Sequence, residues 1–326
     1  MKSLIYMAKP SYGGWVSFTV HLSKKFKYNL YKIGKRTEIN KNGTSRLRNF
    51  GYDVTYQNIS PQDISKLDNI LITAIDKNYY DYLEYFPDNT TIVIHDPTEV
   101  KGKSCQILIN NLSRFKVVTI RETVKKYLKD TLDIDSIFLH HPFYEYPKTE
   151  IPKTINVSIS RLDFDKHTDI ILKANNELED ERKIHIYGAK NDLYIYHHIK
   201  NKLGMELDNY KGTFSKSFSD LNNILGSSRY VIDLSAIRYD GGGSQYTFLE
   251  ALYHDCVLIL NDKWVNSVDT KFKDKLKSPF KNNINCLVVK DEKDLINLLK
   301  TDIDIDKLSK NAKIILEPHI SVNWDF

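Results

Sequence analysis

Cysteine is scarce. The 326-residue chain has three, Cys105, Cys256 and Cys286, with neither paired spacing nor a metal-ligand pattern. That excludes a disulfide scaffold, and three buried thiols in a reducing, cytoplasmic setting are expected. No apolar run approaches the roughly 20 residues of a membrane-spanning helix. The opening run to Met7 is too short for a secretory signal and reads as a strand. No Asp-x-Asp pair reads as a metal motif, so no metal ligand is assigned, although a divalent ion is compatible with the scheme below. Short-period repeats and low-complexity tracts are absent. No glycine turn has the full dinucleotide fingerprint, which ranks a dehydrogenase last. The net charge of +5 permits a nucleic-acid partner without demanding one.

The sequence does have the size for two cores, with 41% hydrophobic and 27% charged residues. Short, continuous apolar runs alternate with helical patterns, as in buried parallel strands joined by crossovers. They fall at 3–7, 29–33, 53–57, 69–74, 91–94, 116–120 and 136–139, and again at 154–159, 183–187, 230–234, 256–260 and 286–289. Between the two series, 144–153 carries two prolines and alternating charge and reads as a linker. The expectation is an α/β protein of two Rossmann-like domains, 1–146 and 147–326, facing a central cleft. Ligands of such sheets bind at the carboxyl ends of the strands.

Candidate chemistry sits at those ends. Asp240 is followed by Gly242, Gly243, Ser244 and Gln245 and then by a helical pattern carrying Glu250. Bare backbone and the unpaired N–H groups of a helix start suit a phosphate, and Glu250 could accept sugar hydroxyls. A surface loop before a core helix is the alternative. Arg161 and Lys166 bracket a strand-end loop and could grip one diphosphate, or be two exposed cations. Gly13 and Gly14 lie between the first strand and its helix, as ligand contact or tight turn. His95 and Asp96 end another strand: Asp96 could deprotonate a hydroxyl, support a cationic sugar carbon, or simply cap the next turn. The segment 24–48 is the most basic, includes Lys35, Arg36, Arg46 and Arg48, and is interleaved with aromatics. It suits a nucleic-acid backbone or a solvated face. Within it, 41–45 reads as a loop capping a short helix.

Taken together, these residues resemble the B-type, two-Rossmann glycosyltransferases that use nucleotide-diphosphate sugars. The resemblance covers most of the chain. Ser158 to Arg161 with Lys166 is similar to the family's donor-phosphate motif, Ile186 to Gly188 to its strand-end glycine, and Lys211 to Phe214 to its glycine turn. Tyr246 to Leu258 is similar to the segment whose glutamate holds the donor ribose. The resemblance implies Arg161, Lys166, Gly14 and Gly242 to Gln245 at the diphosphate, Glu250 at the ribose, and Tyr187, Gly188, Thr213 and Phe214 at the base. Retaining members often have an acid eight positions before that glutamate, where this chain has Gly242. Fewer residues, Ile5 to Lys9 and Val93 to Asp96, resemble the DNA glucosyltransferases of T-even phages. That likeness implies UDP-glucose as donor, 5-hydroxymethylcytosine in duplex DNA as acceptor, Asp96 and His95 as catalytic residues, and a monomer in the host cytoplasm. Two other readings stay open: transfer to polysaccharide, lipid or protein, and non-catalytic binding of nucleotide or nucleic acid.

Overall fold

The computed structural model describes residues 2–34, 39, 45–213, 217–235, 245–266, 268–269, 274–275 and 278–325. The chain forms two compact units, Met1–Glu145 with Pro318–Phe326, and Tyr146–Glu317. The sequence had placed the last residues with the second half; they group with the first.

Unit 1 holds an eight-stranded sheet. Its strands are β1 (Ser3–Met7), β2 (Asn29–Ile33), β3 (Arg48–Gly51), β4 (Val54–Ile59), β5 (Ile70–Ile75), β6 (Thr91–Ile94), β7 (Lys116–Thr119) and β8 (Ile137–Phe138). They lie in the order β3-β4-β2-β1-β5-β6-β7-β8. Every neighbouring pair is parallel except β3 and β4. β1, β5 and β6 are buried at every residue, which is why they read as unbroken apolar runs. The helices are α1 (Gly14–Phe26), α2 (Gln106–Leu112) and α3 (Glu122–Leu132). Between Ser45 and Asp53 the chain forms β3 and a tight turn, and no helix lies there. Tyr52 and Asp53 take left-handed φ of 54° and 56° to make that turn.

The C-terminal tail closes this unit. Trp324 is fully buried, meets Phe18 edge-on at 5.2 Å and donates from Nε1 to the His140 carbonyl at 3.0 Å. Burying a side chain of that size contributes about 3 kcal/mol, enough to dock a short segment. Lys25 Nζ donates to the carbonyls of His319 and Ile320.

Unit 2 holds a six-stranded, all-parallel sheet of β9 (Ile155–Ile159), β10 (Ile184–Tyr187), β11 (Tyr210–Gly212), β12 (Ser228–Asp233), β13 (Val257–Asn261) and, after a small hairpin of β14 (Val268–Asp269) and β15 (Asp274–Lys275), β16 (Leu287–Val289). The order is β11-β10-β9-β12-β13-β16. The chain builds outward from β9 in one direction and then from β12 in the other, the doubly wound Rossmann pattern. Its helices are α4 (Thr168–Glu177), α5 (Phe218–Gly226), α6 (Gln245–Tyr253), α7 (Asp262–Val265), α8 (Glu292–Lys300) and α9 (Ile305–Ser321). Ser217 and Asp291 cap α5 and α8 through their side chains. α9 runs past the boundary of the unit through Pro318, well beyond the 306–315 its sequence pattern suggests.

The expected linker is tied down. Tyr146 is buried and stacks on Phe218 at 4.4 Å, and Lys153 Nζ donates to the carbonyls of Ser228 and His254 at 2.9 and 2.6 Å. All three cysteines are buried and unpaired. Among the described residues no helix is long and apolar enough to cross a membrane.

Candidate functional site

In unit 2 the sheet reverses its winding between β9 and β12, so a crevice opens beyond the carboxyl ends of those two strands. Lys166 stands on the loop after β9. Its Nζ donates to Ser235 Oγ, just past β12, at 2.8 Å. Ser235 donates both its N–H (2.9 Å) and its hydroxyl to Oδ1 of Asp233, the last residue of β12. Asp233 and Ser235 are each 1% exposed. Asp233 Oδ2 has no hydrogen-bond partner among the described residues. The sequence reading missed Asp233 and Ser235. Their signal was available: two polar residues closing an apolar strand, in front of the glycine run.

Arg161 lies on the same loop and is half exposed, paired with Asp163 at 3.3 Å and Asp165 at 3.9 Å. Asp165 is also 4.0 Å from Lys166, so the structure gathers both predicted cations around one carboxylate. The pairs are long, at 3.3–4.0 Å, so both cations stand beside carboxylates without a short ion pair.

Gly188 has a role the sequence did not suggest. At φ 147°, a Cβ there would lie 1.7 Å from the Ser160 carbonyl oxygen. The position holds the ends of β9 and β10 together, with Ser160 N–H donating to Tyr187 O at 3.1 Å and Tyr210 Oη donating to Gly188 O at 2.8 Å. Tyr187 is half-buried, with its hydroxyl pKa raised by burial, and Thr213 is exposed. Glu250 is buried on α6, one turn beyond Tyr246; the Tyr246 hydroxyl pKa is pushed up first by burial and then by the charge of Glu250. Gly242, Gly243, Ser244, Phe214 and the side chain of Gln245 lie outside the described residues.

Unit 1 presents a second cluster where β6 ends. Asp96 Oδ1 accepts from Thr98 N–H at 2.7 Å, capping the short turn Pro97–Val100. Asp96 Oδ2 is 3.5 Å from Arg121. Asp96 thus does the capping work that the sequence offered as the alternative, while its second oxygen faces a cation. His95 does not reach outward. Its ring is buried, Nε2 lies 2.7 Å from the Thr73 carbonyl, Phe18 packs edge-on at 4.8 Å, and burial lowers its pKa to about 4. It is a neutral core residue that orients the corner.

Beneath Asp96 sits Glu99, which the sequence reading passed over. Its Oε1 accepts from Trp15 Nε1 at 3.1 Å and Oε2 from His95 N–H at 3.2 Å. Burial raises its pKa to about 8, with the Asp96 charge adding to the rise. The acid three residues after a capping Asp is the capping-box spacing, and that was the signal for it. Trp15 follows Gly13 and Gly14 at the start of α1. Gly13 has φ 94° and ψ −173°, a conformation essentially confined to glycine. A Cβ at Gly13 or Gly14 would have nothing within 4 Å, so open space lies beside the start of this helix.

Of the basic segment, Lys35 and Arg36 lie outside the described residues. Arg46 and Arg48 are exposed, at and just before the edge strand β3. Lys32 Nζ lies over the Tyr6 and Tyr56 rings at 5.2 and 5.5 Å. Among the described residues no group of three or more His, Cys, Asp or Glu is placed to hold a metal.

No protein-family model matches the chain, and no curated protein matches it by sequence. Solved structures do match in fold. Alr3699/HepE of Anabaena, in complex with UDP, superposes with a TM-score of 0.66 at 12% identity over 98% of this chain and 95% of that one. An alpha-glucosyltransferase in complex with UDP-glucose and DNA containing an abasic site gives 0.63 at 14% identity over 98% and 96%. A glycosyltransferase of Rickettsia africae gives 0.59 at 16% over 98% and 94%. The chain has the two-Rossmann fold of these B-type glycosyltransferases.

Proposed function

We propose that the protein is a glycosyltransferase that takes a sugar from a UDP-sugar donor. The observation that carries this is the cluster at the β9/β12 switch point, where Lys166 and Arg161 share Asp165 in front of the buried Ser235 and Asp233. In this reading Arg161, Lys166 and the N–H groups leading into α6 at Gly242 to Gln245 hold the diphosphate. Charge stabilisation there makes UDP a good leaving group as the sugar carbon becomes oxocarbenium-like. Glu250 takes the ribose, and the strand-end segment Tyr187–Gly188 with Thr213 takes the base, Gly188 keeping that strand end against Ser160. Asp96 acts on the acceptor hydroxyl or supports the cation, and the helix start at Gly14 offers a further anion contact. A divalent ion is not required by this scheme.

The acceptor we favour is a hydroxymethylated base in duplex DNA, with glucose as the sugar. The exposed Arg46 and Arg48 beside β3 support it. So does the fold shared with an alpha-glucosyltransferase solved with DNA. Such an enzyme would act in the cytoplasm and need the base turned out of the helix. The test is a screen of UDP-sugars against hydroxymethylated and unmodified DNA, read by mass spectrometry. A hexose increment on hydroxymethylated DNA alone is expected. UDP-sugar turnover on a glycan, lipid or protein, without DNA affinity at low salt, removes the DNA acceptor and keeps the transferase. Failure to bind UDP or turn over any UDP-sugar overturns both.

A further inference from the structure

Lys166, Ser235 and Asp233 form a directed chain. The hydroxyl proton of Ser235 is committed to Asp233 Oδ1, which also accepts the Ser235 N–H at 2.9 Å. A serine oxygen has one proton and two lone pairs. With the proton fixed inward, the lone pairs face Lys166, whose Nζ donates to them at 2.8 Å. The rotamer of Ser235 is therefore not free to reverse, and a donor is the only partner it accepts from Lys166's side. The Lys166 side chain is 10% exposed, so its stem is packed as well. An ammonium has three N–H groups. Among the described residues one is spent on Ser235, and Asp165 stands at 4.0 Å.

A flexible lysine normally loses rotamer freedom when it meets an anion. Here that loss has been taken in advance, by two residues that sit 1% exposed at the end of β12 and never need to touch the anion. We infer that Asp233 and Ser235 are positioning residues, which aim the ammonium of Lys166 at the donor diphosphate; the inference rests on the donor site proposed above. The buried carboxylate orders the serine, the serine orders the lysine, and the lysine meets the phosphates. The chain also explains why a polar pair ends an otherwise apolar strand.

The test is a double-mutant cycle on the full chain, with UDP as the probe and calorimetric Kd as the reading. Lys166→Ala is expected to weaken UDP about 10- to 100-fold, the range for a hydrogen bond to a charged group. Ser235→Ala is expected to weaken it about 5-fold, and Ser235→Thr, which keeps the hydroxyl, to restore it. In the Lys166→Ala background, Ser235→Ala should cost nothing further. With turnover in hand, KM for the donor should rise with kcat nearly unchanged. If Ser235→Ala does not fold, Ser235→Cys, whose thiol is a poor acceptor, carries the same readings. Unchanged UDP affinity in the serine variant, beside a weakened Lys166→Ala, overturns the inference and spares the donor site. So does full additivity of the two substitutions. If Lys166→Ala itself leaves UDP binding intact, the donor-site reading fails and this inference fails with it.

Discussion

Glu99→Gln removes a titration while keeping the outline of the side chain. In the folded protein the Glu99 pKa rises from 4.5 to about 8, chiefly through burial, with both oxygens accepting from Trp15 Nε1 and His95 N–H. The sign follows from linkage. Below pH 4.5 the acid is protonated in both states, and its contribution is fully present. Between 4.5 and about 8 the unfolded chain releases the proton and the folded protein keeps it, so stability falls as pH rises. At about 1.4 kcal/mol per pH unit, the loss across the window comes to about 5 kcal/mol. Glutamine does not titrate, but its amide nitrogen cannot accept, so one of the two donors loses its partner at a cost of about 1–2 kcal/mol. Wild type should thus be more stable near pH 5, and the variant by about 3 kcal/mol near pH 8.5, with a crossing at about pH 5.5. Urea unfolding of both proteins across this range measures it, and taking their difference cancels every other titrating group. A difference that stays constant from pH 5 to 8.5 would refute the buried, proton-holding Glu99.

Asp96→Asn keeps an oxygen to cap Thr98 while removing the charge; turnover should fall at least about 100-fold, with Tm within a few degrees. A clearly lowered Tm with unchanged specific activity of the folded variant would make Asp96 a cap and nothing more. Gly188→Ala should cost about 3 kcal/mol or more in thermal unfolding, because the Ser160 carbonyl oxygen lies 1.7 Å from the new Cβ; a near-native Tm would contradict that packing. His95, His254 and His319 each have a pKa lowered to about 4, mainly by burial. Their stability contribution is present above the unfolded value of 6.5 and lost as pH falls toward 4, opposite in sign to that of Glu99. The two effects place the maximum of Tm near pH 6.5; a maximum below pH 5 would show that the histidines do not dominate the acid side, and one above pH 8 that the Glu99 loss is absent.

The strands were legible because central parallel strands are buried on both faces. Runs such as Ser3 to Met7 and Ile155 to Ile159 therefore carry no polar residue pointing to solvent and announce themselves. The edge was not legible. Arg48 to Gly51 is half exposed and pairs antiparallel across a tight turn, so it lacks an apolar run, and the sequence pattern suggested a short helix there instead. Arg161 and Lys166 could be picked out because they stand in one loop. The Lys166–Ser235 contact joins residues 69 positions apart, and only the winding order brings them together. Glu99 was overlooked because an acid is expected at the surface; burial beneath Asp96 depends on α1 delivering Trp15 from the other side of the sequence.

The tail that returns to unit 1 has a consequence for biosynthesis. Unit 2 is one uninterrupted stretch, Tyr146–Glu317, whereas unit 1 is finished only by Pro318–Phe326. During translation the second-encoded body emerges whole before the first receives Trp324. The nascent N-terminal portion must therefore wait on the ribosome with the Phe18 side of its core unsealed, and a chain stopped short of the tail leaves that seam open for good.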